Sequence, residues 1–517
     1  MTASSTVAIS LVSHTNAGKT TLARTLLQRD VGEVRDAPHV TEFAEDHLLL
    51  RSDAGDELRL WDTPGFGDSV RLVRRLRGQG NPLGWFLSAV WDRWRDRPFW
   101  ASQQALRHVR DQADVVLYLV NAAESPEAAG YVEPEMDLLD WVGKPVVVLL
   151  NQLGAPRPEA EEGEDLARWR RHLSGHRKLI GILPMDAFAR CWVQEAHLLN
   201  AVAAALPASK QDSMDRLRGT WQRLRLDTFE RSMATLASSL ARTATSRVEV
   251  KGGGAGFGAA VKRLGSTLGP WLAGKPNDDD APSQAQGLLT ELLDAEVCNS
   301  TAELILLHGL QGDARGEILA RVTSQFEVQT RVDESKAAVV GGMLTGALAG
   351  LKADILTGGL TMGGGLLAGG LLGALGAAGL ARGINVVRGG GPAWVGWSAE
   401  AMTPLVESAL LRYLAVAHFG RGRGQWSEGE APVHWRNVVT AALQPRQLGL
   451  AALWQSRSSH FQNDGDYERL VDRLRPILQA AARDTLEQLY PDSWPQFAVQ
   501  TSTAVTSGLQ AGMATPR

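Results

Sequence analysis

The sequence is poor in cysteine, in net charge and in the features of an export signal. Only Cys191 and Cys298 occur in 517 residues, far apart in the chain, so neither a disulfide framework nor a cysteine-based zinc site is supported. The formal net charge is only −4 and there is no basic tail, so nucleic-acid binding is not indicated. The first residues lack the charged and long apolar regions of a signal peptide, which predicts a cytoplasmic location.

The overall composition is that of a globular protein. Hydrophobic residues make up 44% of the chain and charged residues 21%, which argues against a disordered protein and against a polytopic membrane protein. A chain of 517 residues is too long for one compact core. We therefore expect roughly two to four structural units, most of which fold in water.

The N-terminal segment predicts a strand, a loop and a helix in immediate succession. Residues 6–12 have the apolar, β-branched character of a buried strand, the loop SHTNAGKT starts at Ser13, and helix-forming residues follow to about Arg29. This order matches the phosphate-binding P-loop pattern G-x-x-x-x-G-K-S/T, except that Ser13 replaces the first glycine. The segment therefore predicts nucleotide binding.

The residue types in this loop have defined roles in such a site. Backbone N–H groups wrap the phosphates, and the helix that follows directs its positive end at them. Lys19 adds a positive charge next to the β- and γ-phosphates, and the Thr20 hydroxyl binds Mg²⁺. The predicted nucleotide-binding residues of this loop are Ser13, Asn16, Ala17, Gly18, Lys19, Thr20 and Thr21.

A second phosphate-sensing motif follows the next predicted strand. Residues 57–61 lead into the sequence DTPG, which begins at Asp62. Asp62 is expected to hold Mg²⁺ through water, and the N–H of Gly65 is expected to contact the γ-phosphate. Between the two motifs, Thr41 is the candidate switch residue that closes on Mg²⁺ in the triphosphate state. The predicted catalytic residues are Lys19, Thr41 and Gly65.

The remaining apolar segments of the N-terminal part complete an α/β pattern. Residues 114–121 and 145–150 predict central parallel strands that are buried on both faces. A last strand over residues 179–183 leads into an amphipathic helix over about residues 193–206. The alternation predicts a doubly wound sheet over residues 1–207, with its ligand at the carboxyl ends of the strands.

The P-loop with its asparagine and the DTPG motif resemble those of translation-factor-class P-loop GTPases of the Era and TrmE group. Residues 6–207 look most like a bacterial family that joins such a domain to a C-terminal helical domain of unknown function. The resemblance implies GTP or GDP as the ligand, Mg²⁺ as its cofactor, and hydrolysis at the γ-phosphate. It also implies that Asn16 helps to bind K⁺ beside the phosphates. Phe66 stands where Ras-like enzymes have a water-orienting glutamine, so we predict slow intrinsic turnover.

The base-recognition motif departs from that group. The sequence NQLG at Asn151 replaces the usual N-K-x-D, and Gly154 has no carboxylate to accept hydrogen bonds from guanine. Asn151 and Gln152 are still predicted to contact the base. The carboxylate is expected from Asp186, beside Ala187 after the last strand, or from a residue after Gly154. GTP is the leading assignment, and ATP or loose specificity stays open.

The segment 66–113 is an insertion at the second switch. Its large aromatic residues and its arginines are interleaved over residues 85–100. One interpretation is a nucleotide-sensitive surface for a protein partner or a membrane, because tryptophan and arginine favour both. The other interpretation is that the aromatic side chains pack the insertion onto the domain. The residues concerned are Trp85, Phe86, Trp91, Arg93, Trp94, Arg95, Arg97, Phe99 and Trp100.

The second half of the chain has helical periodicity without a catalytic motif. Residues 208–335 predict a helical domain that is interrupted by a flexible linker over residues 251–282, which is rich in glycine and aspartate. Residues 391–517 predict a C-terminal helical domain.

Between them, residues 336–390 predict a Gly-rich apolar helical hairpin. Glycines recur at four-residue steps, as at Gly365, Gly369 and Gly373, which lets two helices approach closely. The longer uncharged run would extend about 40 Å as a helix, against roughly 30 Å for the hydrocarbon core of a membrane. Three interpretations stay open for residues 337–384: a hairpin that lies on or enters the inner membrane, one packed inside protein, and a flexible segment. A membrane-protein partner and a homodimer also stay open.

These motifs together favour a regulatory GTPase whose nucleotide state is read out by the helical region. Two other functions remain compatible with the sequence. One is a membrane-associated nucleotide-binding scaffold with negligible turnover, and the other is an ATPase.

Overall fold

The structure is a computed structural model that describes most of the N-terminal sheet and the long helices that follow. The described residues are 4–27, 44–77, 80–88, 96–153, 159–187, 191–249, 281–309, 384–387, 394–418, 433–457 and 464–491. The predictions for Thr41, for Gly154, for the linker up to residue 280 and for the apolar hairpin up to residue 383 lie outside the described residues.

One six-stranded sheet organises the N-terminal part. Its strands are β1 Thr6–Ser13, β2 Glu45–Arg51, β3 Glu57–Asp62, β4 Val115–Asn121, β5 Val146–Asn151 and β6 Leu179–Pro184. They lie in the order β2-β3-β1-β4-β5-β6. Strand β2 is antiparallel to β3, and all other neighbours in this sheet are parallel. The ends of β1, β3, β4 and β5 therefore meet at one edge, where a ligand site is expected.

Helices cover both faces of this sheet. They are α1 Lys19–Leu27, α2 Ser69–Leu76, α3 Pro82–Ser88, α4 Arg97–Gln112, α5 Val132–Val142, α6 Glu159–His172 and α7 Trp192–Ala205. Successive residues of a strand point to opposite faces, and β4 shows the result. Tyr118 packs in a core with α2 to α5, whereas Leu117 packs in a second core with α1 and α7. The predicted doubly wound α/β fold is confirmed.

The described residues after 207 are mostly helical. They form α8 Ala208–Thr245, α9 Ala281–Leu307, α10 Ala399–Ala417, α11 Val433–Leu443, a 3-10 turn Gln444–Arg446, α12 Gln447–Gln455 and α13 Asp464–Leu489. Side chains from all six α-helices form one apolar core, in which Phe229, Tyr413 and Trp454 are fully buried. No helix within the described residues is both long and apolar enough to cross a membrane.

A small antiparallel sheet lies within this helical part. Its strands are β7 Arg247–Glu249, β8 Ile384–Val387 and β9 Trp394–Trp397, in the order β7-β9-β8. The sequence predicted a helical hairpin up to residue 390, and β8 corrects that boundary. Strands of three or four residues are too short to give a periodic pattern, and β9 pairs on its other side with β7, more than a hundred residues earlier in the chain.

Helix α8 connects the two parts without a break. Met214 and Leu217 in its first half pack in the core of the large sheet. Phe229 and Met233 in its second half pack in the helical core, which Trp192 of α7 also enters. Packing therefore continues across residue 207, the end of the predicted GTPase domain.

Candidate functional site

The P-loop lies between β1 and α1, at the carboxyl edge of the sheet. Its backbone is left-handed at Asn16, with φ 66°, and at Gly18, with φ 91°. Asparagine tolerates this conformation better than most residues, and glycine adopts it freely. A Cβ atom added to Gly18 would lie 2.7 Å from Nδ2 of Asn151, so the loop also needs glycine there for space. Ala17 is buried, and the Asn16 side chain is exposed.

Lys19 is buried at the first position of α1, and Nζ donates to Oγ of Ser13 over 3.0 Å. The serine that replaces glycine in the P-loop pattern thus supplies an acceptor for this lysine. Burial lowers the pKa of Lys19, while the nearby Asp62 and Glu135 oppose that shift. Thr21 is buried in the first turn of the same helix.

Thr20 and Asp62, the two predicted magnesium ligands that lie within the described residues, are close together. Oγ1 of Thr20 donates to Oδ2 of Asp62 over 2.5 Å. The other carboxylate oxygen, Oδ1, is buried and has no hydrogen-bond partner among the described residues. Burial raises the pKa of Asp62, which a nearby cation would reverse. A hydroxyl, a carboxylate and an unsatisfied oxygen at one point suit Mg²⁺, which binds oxygen ligands and keeps several waters.

The DTPG segment packs directly against the P-loop. The N–H of Phe66 donates to the carbonyl of Ser13 over 2.8 Å, and the N–H of Thr15 donates to the carbonyl of Phe66 over 3.2 Å. A Cβ atom on Gly65 would lie 3.0 Å from Nζ of Lys19, which places this glycine beside the phosphate-binding lysine. The Phe66 side chain is fully buried in the core, so it is not available to orient water.

The predicted base-side residues also converge on the P-loop. Nδ2 of Asn151 donates to the carbonyl of Ala17 over 2.9 Å, and its Oδ1 accepts from the N–H of Ala187 over 2.8 Å. Asp186 is mostly buried, and its Oδ2 accepts from the N–H of Leu153 over 2.9 Å. Asn151 therefore joins the P-loop to the loop after β6, and a carboxylate lies next to it. Gln152 follows with φ 58°, a left-handed turn that redirects the chain.

Residues 8–152 match the model of a family described as 50S ribosome-binding GTPase. That match covers the P-loop, the DTPG motif and Asn151. The N-terminal part is therefore similar in sequence to the P-loop GTPase domains of that family. The predicted resemblance to the Era group is thereby confirmed for this domain.

The GTPase domain is also similar to individual known proteins. GTPase Der of Citrifermentans bemidjiense is 24% identical over 213 residues, which are 40% of this chain and 38% of Der. Aquifex aeolicus Era bound to GDP and AlF4⁻ is 18% identical, with a TM-score of 0.28 over 39% of this chain and 57% of Era. Era in complex with MgGDPNP and nucleotides 1506–1542 of 16S ribosomal RNA is 18% identical, with a TM-score of 0.29 over 40% and 58%. The chain thus spans less than two thirds of each relative.

The insertion of the GTPase domain is packed onto its core. Phe86 and Phe99 are buried in the same core as Phe66. Trp85 is half-buried against the same core, and the guanidinium of Arg75 lies 5.7 Å from its ring centre. Packing therefore explains the buried phenylalanines of the insertion. Trp91 and Trp94 lie outside the described residues.

One set of residues at the GTPase site had no sequence prediction. Nδ1 of His14, in the P-loop, lies 2.6 Å from Oε1 of Glu135, and Tyr118 donates to the other oxygen, Oε2, over 2.8 Å. Glu135 is fully buried on α5 although acidic side chains are rarely buried. The only sequence signal is its position beside Met136 and between Val132 and Leu139, on the apolar face of the helix.

Proposed function

We propose that this protein is a regulatory GTPase that binds and slowly hydrolyses GTP. The observation that carries the proposal is the convergence of Lys19, Thr20, Asp62 and Gly65 at the carboxyl edge of the sheet. These are the groups that hold a γ-phosphate and its metal ion in P-loop GTPases. The match of residues 8–152 to a GTPase family supports the same function.

Mg²⁺ would be held by the Thr20 hydroxyl, by the switch residue Thr41 and, through water, by Asp62. The metal supplies positive charge that offsets the charge of the phosphate oxygens. Lys19 contributes a second positive charge, and backbone N–H groups from Asn16 to Thr21 orient the phosphates. Oδ1 of Asp62 supports this assignment, because it is buried and has no hydrogen-bond partner in the described part of the chain.

Hydrolysis forms a bond between a water oxygen and the γ-phosphorus and breaks the bond from that phosphorus to the β–γ bridging oxygen, which gives GDP and phosphate. No side chain at position 66 assists, because Phe66 is buried in the core. Slow turnover follows from that loss of water orientation. We propose that K⁺ beside Asn16 supplies part of the missing charge stabilisation, since that exposed side chain lies at the turn of the loop.

Phosphate release from the full-length protein tests turnover and its cation dependence. We expect faster release in K⁺ than in Na⁺, and loss of release in Lys19→Ala. Tight nucleotide binding without release in either salt would instead support the nucleotide-binding scaffold. Asn16→Ala is the matched variant for the cation, and it should remove the difference between K⁺ and Na⁺ while retaining nucleotide binding.

We propose that Asp186 supplies the carboxylate that Gly154 cannot supply. Its carboxylate lies at the loop after β6, bonded to the N–H of Leu153 just before position 154. A carboxylate there would accept hydrogen bonds from the N1–H and the exocyclic amine of guanine. Adenine lacks that donor pair, so this residue would set the choice of GTP over ATP.

Exchange of Asp186 for asparagine tests the base assignment. An amide donates to the C2 carbonyl of xanthine but does not accept from both guanine donors. We expect Asp186→Asn to weaken GDP binding by about tenfold to a hundredfold, the effect of unpairing buried hydrogen-bonding groups, and to strengthen xanthosine diphosphate binding. Equal competition of GDP and ADP for the wild-type protein would show that the site does not select guanine.

We propose that the helical part reads out the nucleotide state. Trp192 and Glu195 begin α7, only a few residues beyond Ala187, and both contact helices of the helical part. The indole N–H of Trp192 donates to the Tyr413 hydroxyl over 3.2 Å, and Arg225 of α8 pairs with Glu195 over 2.8 Å. A shift of the base-side loop would be passed to these contacts.

Membrane association through residues 337–384 and the 85–100 insertion remains part of the proposal. Flotation with liposomes of the intact chain, compared with a chain that lacks residues 337–384, tests it. We expect flotation of the intact chain only. Identical behaviour of the two chains would remove the membrane role and leave the GTPase activity unaffected.

A further inference from the structure

A buried carboxylate joins the P-loop to helix α5. Glu135 is fully buried, and its Oε1 lies 2.6 Å from Nδ1 of His14, the second residue of the loop. The His14 ring also stacks on Tyr131, with ring centres 4.5 Å apart. The imidazole is therefore held on two sides by the start of α5.

The same carboxylate contacts two further elements. Tyr118 of β4 donates to Oε2 over 2.8 Å. Ser69, the first residue of α2, lies beside the carboxylate, and its buried hydroxyl has no hydrogen-bond partner among the described residues. Glu135 thus lies where the P-loop, the sheet and the helix that follows the DTPG segment meet.

Stability alone does not account for a carboxylate in this position. Burial raises the pKa of Glu135, which shows that desolvation opposes its charged form. A buried ion pair is commonly no more stabilising than well-packed apolar residues of similar volume. What the carboxylate adds is a defined geometry, because each of its two oxygens holds one specific partner, His14 or Tyr118.

The position of His14 connects this geometry to the phosphate site. The two backbone hydrogen bonds that hold the DTPG segment run from Phe66 to Ser13 and from Thr15 to Phe66, on either side of His14. Gly65, the predicted γ-phosphate contact, directly precedes Phe66 and lies beside Lys19. A change in the position of His14 would therefore alter the contact that only a triphosphate uses.

We propose that Glu135 is a positioning residue that, through His14, holds the P-loop and the DTPG segment in the arrangement that binds the γ-phosphate. The proposal rests on the proposed GTPase function and adds the residue that sets the preference for GTP over GDP. The α- and β-phosphates are bound by later residues of the loop, so GDP binding depends on Glu135 much less.

The same helix extends this role to the insertion. Asp137, two residues further along α5, pairs with Arg77 at the end of α2 over 2.7 Å. Phe86 of α3 and Phe99 of α4 pack in the same core as Met136. A partner that displaces the insertion would thus act on α5, and through Glu135 on the P-loop.

Nucleotide affinities of full-length variants test the proposal. The probes are GDP and a non-hydrolysable GTP analogue, each with Mg²⁺, measured by titration calorimetry. Glu135→Leu removes both hydrogen bonds. We expect this variant to bind the GTP analogue about tenfold more weakly than wild type, and its affinity for GDP to change by less than about threefold. Glu135→Gln keeps an acceptor for His14 and a polar partner for Tyr118, so it should restore most of the lost affinity.

Two further variants separate positioning from general stability. Tyr118→Phe removes a hydrogen bond to the same carboxylate from the sheet side, and we expect a lower melting temperature with an unchanged ratio of the two affinities. His14→Leu should reproduce the loss in Glu135→Leu, and the double variant should lose no more than either single variant.

The measurements distinguish a failure of the positioning role from a failure of the proposed GTPase function. Equal weakening of both nucleotides in Glu135→Leu, or a change in melting temperature alone, would overturn the positioning role while the GTPase assignment stands. A wild-type protein that binds neither nucleotide would overturn the proposed function, and the positioning role with it.

Discussion

The hydroxyl of Ser13 accepts a hydrogen bond from Lys19 at the point where the P-loop pattern has glycine. A departure from a motif is thus matched by a specific contact, which the pattern alone does not reveal. Two glycines of the site, Gly18 and Gly65, are constrained in a different way, because neighbouring atoms leave no room for a side chain. Single substitutions at these glycines give sharp tests.

Gly18→Ala should abolish nucleotide binding, which equilibrium titration with GDP would measure. The substitution forces a left-handed alanine and a Cβ atom 2.7 Å from Nδ2 of Asn151. Gly143→Ala is the matched control, because Gly143 has a similar φ of 81° but open space around it. The control should cost only backbone strain of about 1 kcal/mol, with unchanged affinity. Equal affinities in the two variants would contradict the geometry of the site.

Gly65→Ala should slow phosphate release by at least about tenfold while GDP still binds. The added methyl group would lie 3.0 Å from Nζ of Lys19 and from Cα of Thr15, so the DTPG segment, Lys19 or the P-loop has to shift by a few tenths of an ångström at the predicted γ-phosphate contact. Single-turnover release of phosphate measures the effect. Gly181→Ala, at an open position in β6, serves as the control. Retention of the wild-type rate in Gly65→Ala would argue against a catalytic contact.

At the scale of elements, α8 is held to the GTPase domain by a buried carboxylate. Asp56, in the turn between β2 and β3, is fully buried and pairs with Arg216 of α8 over 2.7 Å. Its carboxylate also accepts from the Ser52 hydroxyl over 2.7 Å. The Arg216 guanidinium holds the pKa of Asp56 well below its usual range. This contact should make the docking of α8 sensitive to acid.

The sign of that dependence follows from the lowered pKa. The contribution of Asp56 to stability is complete above the unfolded-state pKa of about 4 and is lost as the pH falls below it. Urea unfolding should therefore show Asp56→Asn less stable than wild type at pH 7, with the difference shrinking below about pH 4. Asp53→Asn, which breaks an exposed pair with Arg223, should have little effect at either pH. A difference that grows in acid would contradict the assignment.

The elements that could be predicted from the sequence are those with strong local signals. Strands β1, β4 and β5 are continuous apolar segments, and each was predicted to within about two residues of its observed ends. The edge strand β2 was missed because its pattern is half exposed, with charged residues at both ends. Glu135 was missed because one acidic residue in a helix is ordinarily solvated, and only the tertiary fold places it against His14.

At the scale of the whole molecule, the two parts have separate apolar cores that are linked across residue 207, because each core includes side chains from the other side of that residue. Trp192 of the GTPase domain is buried among helices of the helical part, and α8 runs through both. Within the described residues, the two cores are therefore not independent of each other. Nucleotide binding in one part should consequently stabilise the other.

Calorimetric unfolding tests this coupling. We expect the wild-type protein to unfold in one main transition that GDP shifts upward, because a ligand that binds only the native state stabilises everything that unfolds with it. Trp192→Ala should lower stability by about 3 kcal/mol and divide the transition in two, with GDP shifting only one of them. Trp192→Phe keeps most of the apolar volume and loses the bond to Tyr413, so one transition should remain. Two transitions in the wild-type protein would contradict this coupling.

The length of α8 has a mechanical consequence. A helix of 38 residues extends about 57 Å, nearly twice the roughly 30 Å diameter of a small domain. If its first half follows the sheet as one rigid body, a tilt of about 5° at that end displaces the far end by about 5 Å. That distance is about one helical turn, enough to move a side chain from one groove to the next on a facing helix. Sub-ångström displacements at the phosphate site would then change which grooves of the facing helices the side chains of α8 occupy.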